Sequence, residues 1–235
     1  MQRLGLEVLD RMTLRGDETV VDAGCGSGRV TQALVQRLPR GRVIGVDLSA
    51  SMIDAARRRL GEQVDLRVAD LVGLDLGNDG LVDVVFSTAT LHWIADHDAV
   101  FASLRRALRP GGRLVAQCGG EGNIARVHAA ADAAGREAPF APHLAGWRGP
   151  WNFAAPDQTE QRLLRAGFAS ARCWLEDRPV TPDEPHAYLA QINLGAHLQR
   201  LPGELADPFV AAVLAHLGEH PTIDYVRLNI DATAA

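Results

Sequence analysis

Three glycines within eight residues constrain the fold of this chain more than any other feature. The stretch covers residues 21–28, reads Val-Asp-Ala-Gly-Cys-Gly-Ser-Gly and contains Gly24, Gly26 and Gly28. An apolar run at 19–21 precedes it and predicts a buried strand, and apolar residues follow at helical spacing over 30–38. Glycine accepts positive φ and lets a ligand approach the backbone closely. The context predicts a ligand-binding turn between a strand and a helix.

The acid beside this turn and the glycine spacing narrow the kind of ligand. Arg29 stands where the G-x-G-x-x-G pattern of nicotinamide sites has its third glycine, so the spacing here is G-x-G-x-G. Asp22 ends the predicted strand just before the turn. A carboxylate there suits a ligand with a cationic amine better than one with a pyrophosphate.

Predicted strands alternate with predicted helices in the first half of the chain. The strands cover 19–22, 42–47, 64–69, 81–87 and 113–118, the last after the stop-and-turn signal Pro110-Gly111-Gly112. The helices cover 3–12, a segment that ends at about residue 38, 50–60 (with Ser49 as its cap and Gly61 at its end) and 98–108. This order predicts an α/β fold with a parallel, doubly wound sheet.

In the second half of the chain, predicted strands and helices no longer alternate regularly. Helices are predicted over 122–135 and 157–166, an irregular segment over 136–156, and strands over 171–176 and 224–231. Residues 183–219 have helical periodicity that is interrupted by Pro185, Pro202 and Pro208. The length fits a single domain over residues 1–235.

Acidic residues end three successive predicted strands. These residues are Asp22, Asp47 and Asp70. Open α/β sheets bind ligands outside the carboxyl ends of their strands, so we expect the three carboxylates to surround one site. An isolated acid in such a place could equally be a helix cap or a loop carboxylate, whereas three of them beside a glycine turn predict a ligand cradle.

Composition limits the function classes. The net charge of −5 argues against a large nucleic-acid footprint, and all 24 basic residues are arginine, which excludes lysine Schiff-base chemistry. Cys25, Cys118 and Cys173 show no metal-ligand spacing and no disulfide pattern, so we expect no metal and a reducing, cytoplasmic location. No run is apolar for long enough to predict a transmembrane helix or a signal peptide.

The acid followed by G-x-G-x-G resembles the first motif of the class I methyltransferases that depend on S-adenosylmethionine (SAM). Leu91-His92-Trp93, Asp96-His97, Leu108-Arg109-Pro110-Gly111-Gly112 and the closing segment 225–231 resemble small-molecule methyltransferases similar to trans-aconitate 2-methyltransferase. The general motifs extend over about residues 15–118, which the resemblance identifies as the SAM-binding core. The Asn-Pro-Pro-Tyr type of motif, which base-methylating relatives place after strand four, does not occur at 87–94.

The resemblance implies a seven-stranded Rossmann-like sheet and a set of cofactor contacts. The last strand is expected to be antiparallel and to insert between strands five and six. Asp47 would bind the ribose hydroxyls, Asp70 the adenine amine, and Leu48 and Leu71 the two faces of the adenine ring. The full set of expected SAM-binding residues is Asp22, Gly24, Cys25, Gly26, Gly28, Asp47, Leu48, Met52, Asp70, Leu71 and Ser87.

The expected reaction is methyl transfer from SAM to a small molecule, with S-adenosylhomocysteine as the second product. A carboxylate acceptor is favoured, and nucleic acid and membrane partners are not expected. The helical lobe at 183–219, inserted between strands six and seven, and residues 136–156 are expected to cover the substrate. Candidate substrate contacts are Trp93, Trp147, Arg148, Trp151, Arg200 and Arg227.

Several alternatives remain open from the sequence. His92 could act as a base, as a polar contact or as a packed histidine, and each candidate arginine could be a solvated surface residue. The acceptor could be another metabolite that is methylated on oxygen or nitrogen. The chain could also bind SAM without transferring a methyl group, or it could be a nicotinamide-dependent oxidoreductase. The oligomeric state is not determined by the sequence.

The ribose assignment gives a first prediction. Asp47→Ala removes the carboxylate that is expected to accept both ribose hydroxyls, so SAM affinity should fall at least tenfold, since hydrogen bonds to a charged group are worth about 1.5–3 kcal/mol. Isothermal calorimetry of both proteins measures this change. An unchanged dissociation constant would remove the ribose role from Asp47.

Overall fold

A seven-stranded sheet forms the centre of the molecule in the computed structural model, which describes residues 2–77 and 80–235. The strands are β1 (Thr19–Ala23), β2 (Arg42–Asp47), β3 (Asp65–Val68), β4 (Val82–Thr88), β5 (Leu108–Gly119), β6 (Phe168–Asp177) and β7 (Val226–Ala234). Their order across the sheet is β3-β2-β1-β4-β5-β7-β6. Strand β7 is antiparallel to both neighbours, and the other pairings are parallel. The predicted fold class and the position of the last strand are confirmed.

Helices connect these strands. They are α1 (Gln2–Asp10), α2 (Thr31–Gln36), α3 (Ala50–Leu60), α4 (His97–Ala107), α5 (Ala125–Ala134), α6 (Ala141–Leu144), α7 (Pro156–Arg165), α8 (Pro185–Tyr188), α9 (Gly195–Leu198) and α10 (Gly203–Leu217). A π-helical turn, Leu189–Asn193, joins α8 to α9. Within the described ranges, no helix has the length and apolar character needed to cross a membrane.

Both faces of the sheet are covered at its centre, which is why β1, β2 and β4 are apolar without alternation. Along β1, Val20 contributes to a core shared with α1, α2 and α3, and Val21 contributes to a core on the opposite face with α4 and α7. Successive strand residues point to opposite faces, so both must be apolar when both faces are buried. The central strands are therefore held rigidly, and the loops at their carboxyl ends start from fixed positions.

A third apolar core lies outside the sheet. It is formed mainly by α5, α6, α10 and the segment from α8 to α9, with Phe209, Val210 and Val213 of α10 fully buried. The predicted helix at 122–135 and the predicted helical segment at 183–219 therefore pack on each other. We call this region the lobe.

Two sequence predictions are wrong about where proline and glycine interrupt a strand or a helix. The Pro-Gly-Gly segment belongs to β5 rather than preceding it, as a bulge: Val82 pairs with Leu108, and the next pair is Val84 with Arg113. Pro208 lies inside α10 and does not interrupt it. Helix α10 tolerates the missing N–H because Phe209 and its neighbours are anchored in the core of the lobe.

Helix α3 begins and ends where the sequence predicts. The Ser49 hydroxyl accepts a hydrogen bond from the Met52 amide at 3.3 Å, and Gly61 closes the helix with φ of +59°. Leu60, near its end, packs against the glycine turn, so that a Cβ built on Gly28 would lie 2.8 Å from Leu60 Cδ1. Gly28 also has φ of +78°. It therefore fixes how closely α3 approaches the turn.

This contact predicts a stability difference between two substitutions. Gly28→Ala and Gly61→Ala both place a side chain at positive φ, at a cost of about 1–2 kcal/mol. Only Gly28→Ala also overpacks Leu60, which adds about 1–3 kcal/mol. Urea titration should show the larger loss for Gly28→Ala, whereas equal losses would contradict the close approach.

Candidate active site

A cavity of 680 Å³ opens at the carboxyl ends of β1, β2, β3 and β4. Its volume lies within the range of about 300–1,000 Å³ that is typical of small-molecule sites. Of the residues predicted to bind a cofactor, nine line this first cavity: Asp22, Gly24, Cys25, Gly26, Asp47, Leu48, Met52, Asp70 and Leu71. The three strand-ending acids are therefore brought together, as the sequence analysis expects.

Asp22 is the most deeply placed of the three acids. Its side chain is buried and accepts a hydrogen bond from the Thr31 hydroxyl at 2.7 Å. Burial raises the pKa of its carboxyl group from 3.8 to about 6; the Thr31 hydrogen bond opposes this shift and the nearby Asp47 carboxylate adds to it. The group titrates close to neutrality and favours a cation in the adjoining cavity.

The other two acids shape the loops around them. Asp47 accepts the Gly26 amide through Oδ2 and the Ser49 amide through Oδ1, both at 2.9 Å. Asp70 accepts the Val72 amide through Oδ1 at 2.9 Å. A carboxylate has about four acceptor sites, so each group retains capacity for ligand hydroxyl or amine donors.

Apolar side chains stand exposed at the edge of the first cavity. Leu48 is 71% exposed and Met52 46% exposed, whereas Leu71 is buried with 4% exposure. Exposed apolar groups beside an apolar cavity are typical of ligand contacts. Leu48 and Met52 can cover a flat ring, with Leu71 forming part of the wall.

Two predicted cofactor residues do not line the cavity. Gly28 faces Leu60, as described above. The Ser87 hydroxyl is buried and donates to the Ala23 carbonyl at 2.7 Å, which ties β4 to β1. Since alternate strand residues face opposite ways, the next residue, Thr88, lines the cavity instead.

Sequence reasoning identified His92 and Trp93 in the loop that follows β4 but missed two of its residues. Ala89 and Thr90 line the cavity, and a Cβ on Gly24 would lie only 2.0 Å from Thr90 Oγ1. Gly24 thus makes room for this loop. Ala89 adopts φ of +54°, which is unusual for a residue with a side chain. The sequence gives no signal for that conformation.

A second cavity of 200 Å³ adjoins the first. Ala89 and Trp93 line both. Its other lining residues are His92, Asn123, Ile124, Trp151, Phe153, Gln191, Ile192, Asn193, Tyr225 and Arg227. Three predicted substrate residues, Trp93, Trp151 and Arg227, therefore meet here, together with His92.

Arg227 brings positive charge into the second cavity. Its side chain is 3% exposed, and its guanidinium lies over the Tyr225 ring at 4.6 Å from the centroid. Burial lowers the pKa of this guanidinium from its ordinary value of 12.5, but an arginine stays protonated at neutral pH. No Asp or Glu occurs among the described residues that line this cavity.

His92 is a neutral hydrogen-bond donor in this environment. Burial, with Arg227 and His97 nearby, lowers the pKa of its imidazole to about 3. The Gly119 amide donates to Nδ1 at 3.2 Å, so the ring proton of the neutral form lies on Nε2. Of the open alternatives, a polar contact and a packed histidine both fit this geometry, and a general base that titrates near neutrality does not.

A third cavity of 470 Å³ contains two other predicted substrate residues. Trp147 and Arg148 line it, and Trp151 belongs to both the second and the third cavity. Arg200 does not line any of the three cavities: its guanidinium lies over the Trp147 ring at 5.1 Å, and its Nε donates to the His143 carbonyl at 3.4 Å. Arg200 therefore contacts Trp147, a residue of the third-cavity wall, without lining the cavity itself.

Known proteins share both the sequence motifs and the fold. Residues 21–116 match the family model described as a methyltransferase domain. The chain is 43% identical over 115 residues to a trans-aconitate 2-methyltransferase from Azoarcus sp. strain BH72; this alignment covers 49% of the chain and 44% of that protein. It is also 34% identical over 182 residues to a trans-aconitate 2-methyltransferase from Methylobacterium nodulans. This second alignment covers 77% of the chain and 64% of that protein.

The structural comparison agrees at the level of the fold. YcgJ from Bacillus subtilis superimposes with a TM-score of 0.68 over 98% of this chain and 97% of that protein, at 16% identity. The sequence matches and the fold therefore agree in their similarity to methyltransferases. The chain spans less than half of the Azoarcus protein.

The buried carboxyl group gives the expected SAM site a testable pH dependence. If Asp22 binds SAM as expected, its ionised form attracts the cationic ligand, and its pKa of about 6 means that protonation dominates at pH 5. SAM affinity should therefore fall about tenfold between pH 7 and pH 5, because one pKa unit corresponds to a tenfold change. In calorimetry, Asp22→Asn should bind SAM more weakly and without this pH dependence.

Asp22→Asn should also stabilise the ligand-free protein. A raised pKa in the folded state means that stability is lost as the pH rises from 3.8 to about 6. Asp22→Asn has no carboxylate to ionise, so it does not lose this stability of up to about 3 kcal/mol. The difference in unfolding free energy between the variant and the natural chain should therefore grow from pH 5 to pH 8. Asp54→Asn, which removes an exposed carboxylate on α3, is the control. An advantage that does not change with pH would contradict the assignment.

Proposed function

We propose that this chain transfers the methyl group of SAM to a carboxylate oxygen of a small acid that binds in the second cavity. The observation that carries this proposal is the position of Arg227, a buried cation in a cavity that opens beside the first and has no Asp or Glu among its described lining residues. The similarity to trans-aconitate 2-methyltransferases supports the same class of acceptor.

The first cavity suits SAM group by group. Asp22 would attract the cationic methionine end, Asp47 would accept the ribose hydroxyls, and Asp70 would accept the adenine amine. Leu48 and Met52 would cover the adenine ring. The loop after β4 would then lie beside the sulfonium, because Ala89 and Trp93 form the boundary between the two cavities.

In the second cavity, two different donors are available for an acid. The Arg227 guanidinium can form paired hydrogen bonds with a carboxylate. The His92 Nε2–H can donate one more without adding charge. Together they would hold the carboxylate so that one oxygen faces the first cavity.

The chemistry requires orientation rather than proton transfer. SAM supplies a methyl group on a sulfonium, and an in-line displacement forms the C–O bond as the C–S bond breaks. The acceptor carboxylate is ionised at neutral pH, so no base is needed. Fixing the two reactants can contribute about 7–11 kcal/mol in favourable cases. Trp93, Phe153 and Tyr225 would exclude water around the acid.

The lobe and the segment 136–156 would cover the acceptor. Gln191, Ile192 and Asn193 reach the second cavity from the π-helical turn. The Asn193 amide donates to the Tyr225 hydroxyl at 3.0 Å, which joins the lobe to the residue just before β7. We assign residues 15–118 to SAM binding and these lobe elements to substrate binding within one domain.

The test is product analysis with purified protein, SAM and a panel of small di- and tricarboxylic acids, phenols and amines. Methyl esters detected by mass spectrometry support the proposal, and methylation of phenols or amines alone overturns the choice of acceptor. SAM binding without any product would instead make the chain a SAM-binding protein.

Arg227 gives the matching substitution. Arg227→Gln should raise the KM for an accepted acid about tenfold or more, because it removes a charged hydrogen-bond donor. The dissociation constant for S-adenosylhomocysteine should stay the same, which also reports that the variant is folded. Arg172→Gln on β6, whose guanidinium lies over Trp174, is the control. A KM equal to that of the natural chain would remove Arg227 from the acceptor site.

A further inference from the structure

The three cavities follow one another, with a tryptophan ring at each boundary. Trp93 lines the first and second cavities, and Trp151 lines the second and third. The ring centroids of Trp93 and Trp151 are 6.0 Å apart, and those of Trp151 and Trp147 are 5.9 Å apart. A path along aromatic faces therefore leads from the SAM side to the third cavity.

The second cavity alone is small for an organic substrate. Its 200 Å³ lies below the range of about 300–1,000 Å³ that is typical of such sites. The third cavity, with 470 Å³, lies within that range. Only an acid of a few carbons fits the second cavity, whereas a longer acid has room if it continues past Trp151.

Uncharged aromatic rings form much of the wall of the third cavity. The His197 ring lies 4.9 Å from Trp147 and 5.4 Å from Trp151, and the His128 ring lies 4.6 Å from Trp151. Burial lowers the pKa of both imidazoles, that of His197 to about 4, so they are neutral at pH 7. Such a wall suits a planar conjugated group.

The same rings contain polar atoms without partners. His197 is 5% exposed, and its Nδ1 is buried without a hydrogen bond to any described residue. His128 Nε2 is in the same situation. Because neither nitrogen is accessible, these atoms do not face the third cavity, and the two rings contribute apolar contact to its wall rather than hydrogen bonds.

Two arginines add positive charge at this cavity. Arg136 and Arg148 both line it and are exposed, and neither guanidinium makes an ion pair or a hydrogen bond with a described residue. Asp132 is the one acid among the described lining residues. The net charge of the lining favours an anionic group, which arginine can bind in a paired geometry.

We propose that the third cavity binds the far end of the acceptor, which is an elongated acid with a planar aromatic or conjugated segment and a second anionic group. This inference rests on the proposed function, because it places the reacting carboxylate in the second cavity. The planar segment stacks on Trp151 and the histidine rings, and the far anion contacts Arg136 and Arg148.

The position of Trp151 depends on its own loop. Gly149 has φ of +76°, and a Cβ built there would lie 1.9 Å from Trp151 Cζ3. The indole therefore folds directly over the glycine backbone. A residue with a side chain at 149 would displace the ring that separates the two cavities.

Three acids of increasing extent test the proposal: crotonic acid, cinnamic acid and 4-sulfocinnamic acid. The sulfonate of the last is a poor methyl acceptor and serves only as the far anion. For the natural chain, kcat/KM for ester formation should rise from crotonate to cinnamate, and about tenfold more for 4-sulfocinnamate. The double variant Arg136→Gln, Arg148→Gln should lower the ratio of 4-sulfocinnamate to cinnamate about tenfold.

Arg40→Gln, at an exposed arginine in the turn before β2, is the control and should leave this ratio as it is. Equal kcat/KM values for the three acids, or an unchanged ratio in the double variant, would overturn the third-cavity proposal while leaving carboxylate methylation intact.

Calorimetry with 4-sulfocinnamic acid and saturating S-adenosylhomocysteine measures occupancy without turnover. Binding that weakens about tenfold in the double variant supports the site even if no ester forms, in which case the proposed reaction alone fails. Absence of binding, or equal binding by both proteins, would reject the third cavity.

Discussion

The buried Asp22 carboxylate is the constraint on which the rest of this site depends. It lies at the carboxyl end of the central strand β1, with the Thr31 hydroxyl as donor, and burial raises its pKa to about 6. An ionised group there destabilises the ligand-free fold. In the three-glycine turn beside it, Gly26 leaves open space where a side chain would stand. A cationic ligand can therefore recover, on binding, the stability that the empty site gives up.

Local chemistry determines the parts of the fold that the sequence predicts well. Strand β2 and helix α3 have the predicted bounds, because an apolar run ends at an acid and a serine caps the helix. The errors occur where tertiary packing overrides a local signal. Pairing with β4 draws the Pro-Gly-Gly segment into β5 as a bulge, and the core of the lobe carries α10 through Pro208.

The candidate site also has one part that the sequence predicts and one part that it does not. The first cavity is built from consecutive strand ends, so its acids could be placed from spacing alone. Ser87 and Gly28 do not line it, because the Ser87 hydroxyl bonds to β1 and Gly28 packs against Leu60, contacts that spacing does not reveal. The second cavity joins His92 after β4, Trp151 and Arg227 on β7. Residues so far apart in the chain carry no shared periodicity. Only the insertion of β7 beside β5 brings Arg227 to the carboxyl end of β4.

The two donors of the second cavity would act differently during methyl transfer. The acid is negative before the reaction and neutral as an ester, so Arg227 would stabilise the bound acid more than the transition state or the product. Such a contact lowers KM and favours release of the ester, but it does not raise kcat. The His92 Nε2–H is uncharged and would lose less as the negative charge disappears. Orientation by His92 and exclusion of water by Trp93 and Phe153 would therefore contribute more to kcat than Arg227 does.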